Sequence, residues 1–254
     1  MKNKIKVCHT SDWHGKTRGL PSSDLYVVTG DMLPNFPNLK FLNPRNPSEI
    51  LILNPFVHPS ETEAIVQSHQ LRVVGRSVVP DIEIREQRKW CNEHPFRVEA
   101  GIPNDTPVVV VRGNHDFIDL NEWIGGNVWE VSQDSSLTTE ILGLKIGGMR
   151  GINYIQGEWC DETSQEELME IARKIPTDID ILVSHAPGTG VLDYTRDGNC
   201  GVNGIAAFIL RKYYLQGSEL RAHFCGHVHE DIGVLQSGGT LYSNAADAVH
   251  VVNI

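Results

Sequence analysis

An α/β fold is predicted for this chain of 254 residues by two features of its sequence. Short apolar runs recur from one end to the other, and segments with the composition of helices lie between them. Each run is bounded by turn-forming residues and is apolar enough to lie in the middle of a sheet. The runs are IKVCHTSD from residue 5, LYVVTGD from residue 25, VVVVRGNHD from residue 108, ILVSHAP from residue 181 and RAHFCGH from residue 221.

Two helices are predicted between these runs. Residues 80–94 open with Asp81 and carry acidic residues early and basic residues later, which suits the helix dipole. Residues 163–175 begin with the capping-box pattern Thr163-x-x-Glu166, and their apolar side chains recur along one face.

The last part of the chain predicts one more helix and then strands. A helix is expected from residue 202, with Asn203 as its N-cap. The residues after 221 form several short apolar stretches joined by glycine and asparagine turns, with a closing strand at the C-terminus. We expect one domain over residues 1–254.

The segment 32–79 interrupts this pattern. Its first part is rich in proline and asparagine, which end secondary-structure elements. Its second part, residues 60–74, predicts a helix capped by Ser60 with Glu63. We interpret 32–79 as an insertion over the sheet edge, and two readings stay open: a surface elaboration without a chemical role, or a cover for the functional site.

Composition and charge restrict the partners and the cellular location that we expect for this protein. The chain has 32 acidic and 22 basic residues and a net charge of −10, which argues against a basic face that grips long nucleic acid. No stretch approaches ~18 uninterrupted apolar residues, and the apolar segment near the N-terminus is too short for a signal peptide. We therefore expect a cytoplasmic protein without a membrane partner, whose five cysteines are reduced.

Polar side chains follow all five apolar runs. Because ligands bind at the carboxyl ends of strands in layered α/β proteins, these loops are expected to converge at one sheet edge. A single aspartate or histidine there is usually a cap or a hydrogen-bonding residue, but five such ends indicate a site for borderline divalent cations. The donors suffice for two ions, an arrangement that cleaves phosphoesters. The candidates are Asp12, His14, Asp31, Asn114, His115, Asp116, His185, His227 and His229.

The ordered set of motifs resembles the calcineurin-like metallophosphoesterases. The blocks are D-x-H, G-D, G-N-H-D, a lone histidine after a strand, and G-H-x-H, and they extend from Asp12 to His229. The resemblance implies a four-layer α-β-β-α sandwich of two mixed sheets with a dinuclear metal site at the strand ends. Any one block is a weak signal, whereas the ordered set is specific.

The resemblance also implies a role for each candidate. One metal ion would be held by Asp12, His14 and His229, and the other by Asn114, His185 and His227. Asp31 would bridge the two ions. His115 would protonate the leaving oxygen, and Asp116 would orient the ring of His115.

The implied cofactors are two divalent ions, with Mn²⁺ preferred and Fe, Zn or Ni as alternatives. A water shared by two such ions loses its proton easily, so a bridging hydroxide would attack phosphorus while the metals neutralise the growing charge. The expected activity is hydrolysis of phosphodiester bonds in nucleotides or other small phosphoesters.

The motifs differ from those of related branches of the family, and these differences rank the alternative functions. The second block reads GDMLPNF and lacks the aspartate and arginine that continue this block in serine/threonine phosphatases. The motifs HTSDWHG and RGNHD resemble Mre11/SbcD-like nucleases, but only residues 230–254 follow the last motif, where those nucleases carry a capping domain. The motifs SHAPGTGVLDY, FCGHVHEDIGV and LYSNAA are more similar to the small single-domain, fetal-brain-type phosphodiesterases. A nuclease is therefore the second hypothesis, with nucleic acid a less favoured partner, and a metal-stabilised binding module is the third.

The remaining polar and aromatic residues are given ordinary structural roles. Trp13 is expected to anchor the metal loop, and Arg112 is expected to pair with a surface carboxylate. Six histidines have no partner motif and are assigned no role: His9, His58, His69, His94, His223 and His250.

Overall fold

Two mixed β-sheets packed face to face form the centre of the structure. The structure is a computed structural model, and it describes residues 4–35, 71–74, 77–131, 138–155, 159–217 and 220–254. In chain order the strands are β1 (Lys6–Thr10), β2 (Leu25–Val28), β3 (Leu71–Val74), β4 (Ser77–Pro80), β5 (Val108–Val111), β6 (Val128–Val131), β7 (Thr139–Ile141), β8 (Leu144–Met149), β9 (Ile152–Asn153), β10 (Glu162–Thr163), β11 (Ile181–Ser184), β12 (Tyr194–Thr195), β13 (Gly198–Asn199), β14 (Ala222–Cys225), β15 (Gly233–Ser237), β16 (Thr240–Asn244) and β17 (Val249–Asn253).

Both sheets are parallel in the middle and antiparallel at an edge. The first sheet has the order β17-β1-β2-β5-β6, and only β17 is antiparallel to its neighbour. The second has the order β15-β16-β14-β11-β8-β7, with β15 and β7 antiparallel at its two edges. The five apolar runs form β1, β2, β5, β11 and β14, all inside a sheet, which confirms those predictions.

Alternating side chains explain why these central strands are buried on both faces. In β5, Val109 and Val111 point between the sheets, where they share a core with Phe224. Val108 and Val110 point to the opposite face of the first sheet. A strand covered on both sides has no polar face, which is why its sequence is a continuous apolar run.

Helices cover the outer face of each sheet. The described residues contain α1 (Asp81–Glu93), α2 (Phe96–Ala100), α3 (Leu120–Ile124), α4 (Gln165–Lys174) and α5 (Asn203–Gln216). Ile84, Phe96 and Trp123 pack on the first sheet, whereas Leu168 and Phe208 pack on the second. The resulting order of layers confirms the predicted α-β-β-α sandwich, and α1 confirms the helix predicted over 80–94. No helix among the described residues is long and apolar enough to cross a membrane.

Two predicted helix starts are wrong by one residue. The N-cap of α4 is Ser164, whose Oγ accepts a bond from Glu167 N–H, because Thr163 belongs to β10 and pairs with Asn153. In α5 the N-cap position is Val202, and Asn203 is already helical.

The predicted insertion falls mostly on residues that the structure does not describe. The last four residues of the helix predicted over 60–74 instead form β3, which pairs antiparallel with β4. Two of those four residues are Val, which favours a strand. Residues 60–70, with the predicted cap at Ser60, lie outside the described ranges, so the boundaries of the insertion stay a prediction.

Candidate metal centre

The loops after five parallel strands meet at one end of the sandwich. In the first sheet Asp12 and His14 follow β1, Asp31 follows β2 and Asn114 follows β5. In the second sheet His185 follows β11, and the histidines of the G-H-x-H motif follow β14. The structure brings these residues together in two groups of donors, each containing residues from both sheets.

The first group consists of Asp12, His14 and His229, whose donor atoms all lie within 4.8 Å of one another. His229 Nε2 is 3.4 Å from Asp12 Oδ1, and His14 Nε2 is 4.0 Å from the same oxygen. The imidazole rings of His14 and His229 stack with centroids 5.7 Å apart. One carboxylate oxygen and two ring nitrogens therefore point to a common volume.

The second group consists of Asp31, His185 and His227, again with donor atoms within 4.8 Å of one another. His185 Nε2 lies 3.3 Å from Asp31 Oδ2 and 3.0 Å from Asn114 Oδ1. The amide of Asn114 thus adjoins this group, as the motif order implies. The role of Asp31 as a bridge between two ions stays a prediction.

Left-handed backbone conformations at four of the candidate ligands accompany the close approach of the loops. Asp12, His14, Asp31 and His227 have φ angles of 56°, 46°, 53° and 70°, in the left-handed region that costs an L-residue ~1–2 kcal/mol. Such strain is held by surrounding structure and concentrates at functional sites. A Cβ on Gly226 would lie 2.0 Å from Ser11 Oγ, so the G-H-x-H loop touches the Asp12 loop only with glycine there.

The residues fit divalent cations in charge as well as in donor type. Asp12 Oδ1 is buried and has no hydrogen-bond partner among the described residues, although it faces two imidazoles. Burial alone would raise the pKa of Asp31, but the histidines around it, led by His185 and His115, hold that pKa below its usual range. Burial opposes a charge on His185, yet Asp31 and Asp12 raise its pKa to about 10. The centre therefore stabilises positive charge at buried carboxylates, as cation binding requires.

His115 lies at the side of these groups. Its Nε2 is 3.8 Å from Asp31 Oδ2, and its ring meets the edge of His14 at a centroid distance of 5.0 Å. Its backbone N–H donates to Asp31 Oδ1 at 2.8 Å. The ring nitrogen that faces the donor groups is therefore Nε2, whereas Nδ1 is buried without a partner among the described residues.

The expectation that Asp116 orients the ring of His115 is wrong. Both carboxylate oxygens of Asp116 accept backbone N–H groups instead, from Asp31, Met32, Leu33 and Gly113 at 2.8–3.0 Å. Burial and the nearby Asp31 raise the pKa of Asp116 to about 7, against the lowering effect of these donors. Asp116 ties the loop after β2 to the loop after β5, so it fixes the positions of Asp31 and Asn114.

Trp159 is the neighbour of His115 that sequence reasoning missed. The two rings lie 4.1 Å apart between centroids. The next residue, Cys160, donates its N–H to the carbonyl oxygen of Asn114 at 2.9 Å, and Asp161 pairs with Arg112 at 3.3 Å. Trp159 sits in a loop more than forty positions after His115 and in no periodic element, so no local pattern links the two.

Two minor predictions can be compared with their surroundings. Trp13 is 1% exposed, donates from Nε1 to Thr10 Oγ1 at 2.6 Å and packs beside Phe96, as an anchor would. Arg112 contacts the exposed carboxylate of Asp119, as expected, but it also contacts the buried Asp161.

Comparisons with known proteins agree with the motif resemblance. Residues 5–231 match the calcineurin-like phosphoesterase family. The UPF0046 protein K07C11.7 of Caenorhabditis elegans is 35% identical over 81 residues, which cover 32% of this chain and 26% of that protein. The human metallophosphoesterase domain-containing protein 1 is 30% identical over 114 residues, which cover 45% of this chain and 33% of that protein. The alignments thus span a third or less of these curated relatives.

A solved crystal structure extends the likeness to the whole fold. It superposes with a TM-score of 0.53 and 13% sequence identity over 95% of this chain and 90% of its own. The family match over residues 5–231 includes every motif of the two donor groups. The chain therefore belongs to the calcineurin-like phosphoesterase family.

Proposed function

We propose that the chain is a dinuclear metal-dependent phosphoesterase that hydrolyses phosphodiester bonds in nucleotides or other small phosphoesters. The observation that carries the proposal is the pair of adjoining donor groups at the strand ends, with the histidine of the G-N-H-D motif beside them. Two ions side by side suit phosphoester cleavage better than a structural role, for which one closed site is enough.

The donor groups and the adjoining Asn114 support one assignment of residues to each ion. One ion would be held by Asp12, His14 and His229, and the other by Asn114, His185 and His227, with Asp31 shared. Two divalent ions at these residues would act as Lewis acids toward the phosphoryl oxygens and would lower the pKa of bound water. Mn²⁺ is the preferred metal.

The other residues of the site would position groups and move a proton. His115 Nε2 faces the donor groups, so a proton on this atom is placed for transfer to the leaving oxygen. Trp159 lies against the ring of His115, which limits the ring's rotation and its contact with water. Asp116 holds the two loops that carry Asp31 and Asn114 at a fixed separation.

Metal content and turnover test the proposal together. Protein purified without chelator should contain about two divalent ions per chain by elemental analysis and should cleave nitrophenyl phosphodiesters. Chelation should abolish turnover, and Mn²⁺ should restore it. A panel of nitrophenyl mono- and diesters would give the preferred ester class. Protein that holds less than one ion per chain and cleaves no ester with any added metal would support the binding-module hypothesis instead.

A further inference from the structure

The candidate metal centre draws its donors from both sheets, so its geometry depends on how the sheets are joined behind it. Asn114 lies in the loop after β5 of the first sheet, and its Oδ1 is 3.0 Å from Nε2 of His185, which directly follows β11 of the second sheet. Asp12 Oδ2 likewise accepts the backbone N–H of His227 across the two sheets at 2.9 Å. A small shift of one sheet against the other would change the separation of donors within each group.

A chain of buried hydrogen bonds joins the two sheets next to this centre. His9 is fully buried on β1, three residues before Asp12, and both of its ring nitrogens are bonded. Its Nδ1 lies 2.7 Å from Oγ of Ser243, on β16 of the second sheet. Its Nε2 lies 3.0 Å from Oγ1 of Thr29, which follows β2 of the first sheet. His9 thus links the sheets beside the apolar core between them, which contains Val7 and Phe224.

Thr29 extends this chain to a predicted metal ligand. Its carbonyl oxygen accepts a hydrogen bond from Nδ1 of His185 at 2.5 Å. A neutral imidazole that donates from Nδ1 carries its lone pair on Nε2, the atom that faces Asn114 and Asp31. The Thr29 carbonyl therefore selects the tautomer and the orientation of His185.

His9 can make both of its hydrogen bonds as a neutral ring. Burial, with smaller effects from His250 and His223, lowers the pKa of His9 well below its ordinary value. A neutral imidazole has one donor and one acceptor, and the hydroxyls of Thr29 and Ser243 can each play either part. Ser243 Oγ is also 2.9 Å from Nδ1 of the half-buried His250, which completes the chain.

We infer that His9 is a positioning residue of the metal centre. By bonding Thr29 and Ser243 at once, His9 fixes the orientation of His185. The same two bonds fix the separation of the sheets where the ligands meet. This inference rests on the proposed function, because it needs a metal-binding centre. It gives a role to a histidine that has no partner motif in the sequence.

The test replaces His9 without emptying the core. His9→Phe keeps a flat ring and removes both hydrogen bonds. Val7→Ala is the matched control, because Val7 lies two residues earlier on the same face of β1 and is equally buried but makes no side-chain hydrogen bond. Mn²⁺ affinity is measured by calorimetry on chelator-stripped protein, and the visible absorption of bound Co²⁺ reports ligand geometry. We expect His9→Phe to lose ~10–100-fold in affinity for one of two ions and to alter the Co²⁺ spectrum, with Val7→Ala unchanged in both.

A milder variant keeps the inference testable if His9→Phe does not fold. Ser243→Ala removes the hydroxyl that bonds His9 and His250 but keeps the bond between His9 and Thr29, and it should weaken Mn²⁺ binding in the same direction. The double variant should bind about as weakly as His9→Phe alone, because the contact between His9 and Ser243 is already lost in that variant. Unchanged affinity and unchanged Co²⁺ spectra in His9→Phe and Ser243→Ala would overturn the inference alone. If the unaltered chain binds no Mn²⁺, the proposed function fails, and this inference fails with it.

Discussion

Asp31 is a buried carboxylate surrounded by histidines, and in the proposed centre it is the anionic ligand that both ions share. We expect Asp31→Asn to lower turnover by more than the ~10–100-fold typical of losing an outer-shell partner, because two ions would lose a shared anionic ligand. The fold should persist, since the amide oxygen can still accept the bond from His115 N–H. In the presence of chelator the melting temperature should fall, because His185 and His115 lose the carboxylate whose pKa they hold below its usual range.

The exposed Asp197 provides the control for this prediction. Asp197→Asn makes the same chemical change on the turn between β12 and β13 and should leave metal content and turnover unchanged. Elemental analysis and nitrophenyl ester assays check both variants. Full metal content with near-normal turnover in Asp31→Asn would remove Asp31 from the ligand set.

His115 is proposed to donate a proton and to bind no metal. We therefore expect His115→Asn to retain about two ions per chain and to lose roughly 10²–10⁴-fold in rate, the range typical of a positioned acid. The loss should be smaller for nitrophenyl esters than for alkyl esters, because nitrophenolate leaves without protonation. Steady-state rates across a series of leaving groups measure this difference.

The control is the same change from histidine to asparagine at a histidine outside the centre. His94 stacks on Trp90 beside α1, and His94→Asn should leave rates unchanged for all leaving groups. Equal losses for good and poor leaving groups in His115→Asn would show that His115 acts through position or charge, and not as the acid.

At the scale of a residue, the sequence predicted which side chains meet but not all of their partners. The motif order named seven side chains that the structure brings together, because each follows a strand whose position the apolar pattern reveals. Their role as metal ligands stays a prediction. Asp116 was misread, since a carboxylate beside a histidine in sequence can turn to backbone N–H groups instead. Which donors a buried carboxylate accepts from depends on loop contacts that one sequence does not reveal.

At the scale of an element, the segment 159–161 holds the loop that carries His115. Trp159 packs on the His115 ring, and Arg112 binds Asp161 from the strand before that loop. We expect Trp159→Ala to lower turnover of poor leaving groups by ~10–100-fold, because a freed ring is misplaced for proton transfer. Metal content should not change. Trp159→Phe, which keeps an aromatic face, should recover part of the rate.

Trp129 is the matched control for this prediction. It lies on β6, at the edge of the first sheet, and packs against the core between the sheets. Trp129→Ala should lower the free energy of unfolding without a change in turnover per folded molecule. If both tryptophan variants lose the same activity and the same stability, Trp159 supports the fold and does not position His115.

Element boundaries show where sequence patterns reach their limit. The central strands were predicted well, because burial on both faces leaves short runs dominated by apolar residues. The start of α4 was misplaced by one residue, because Thr163 and Ser164 are both good caps and only the pairing of β10 with β9 decides between them. The strand β3 was read as a helix because residues 60–74 carry a capping pattern ahead of Leu-Arg-Val-Val.

At the scale of the whole molecule, the division into two sheets is what builds the centre. Five strand-like runs with polar ends predicted convergence at one edge, but not that three belong to one sheet and two to another. That division came from the family resemblance, because strand partners far apart in sequence leave no local periodicity. Burial of Phe224 and Val109 between the sheets holds the two halves of the donor groups together.

The charge of the whole molecule separates the phosphodiesterase from the nuclease hypothesis. A nuclease holds several phosphates at once, so its affinity falls steeply with salt, with a slope of ~0.7–0.9 per phosphate neutralised. This chain has 22 basic against 32 acidic residues and no lysine- or arginine-rich run. We expect turnover of small diesters or nucleotides with weak salt dependence, and little cleavage of plasmid or oligonucleotide with the same metal. Rates measured at several salt concentrations check this.

The measurement of salt dependence needs a control variant that lacks the positive charge of the segment 32–79. This segment carries Lys40, Arg45, Arg72 and Arg76, which is positive charge close in sequence to the loop of Asp31. A variant with residues 36–70 replaced by a short glycine-serine linker, and with Arg72 and Arg76 changed to serine, loses all four of these charges but retains all seven predicted ligands and His115. If the unaltered chain cuts DNA in a salt-sensitive way and the shortened variant does not, this segment supplies the polyanion surface, and the nuclease hypothesis takes first place. If both forms cleave small diesters alike and leave DNA intact, the acidic charge of the molecule governs its choice of substrate, because a polyanion then finds no positive surface beside the metals.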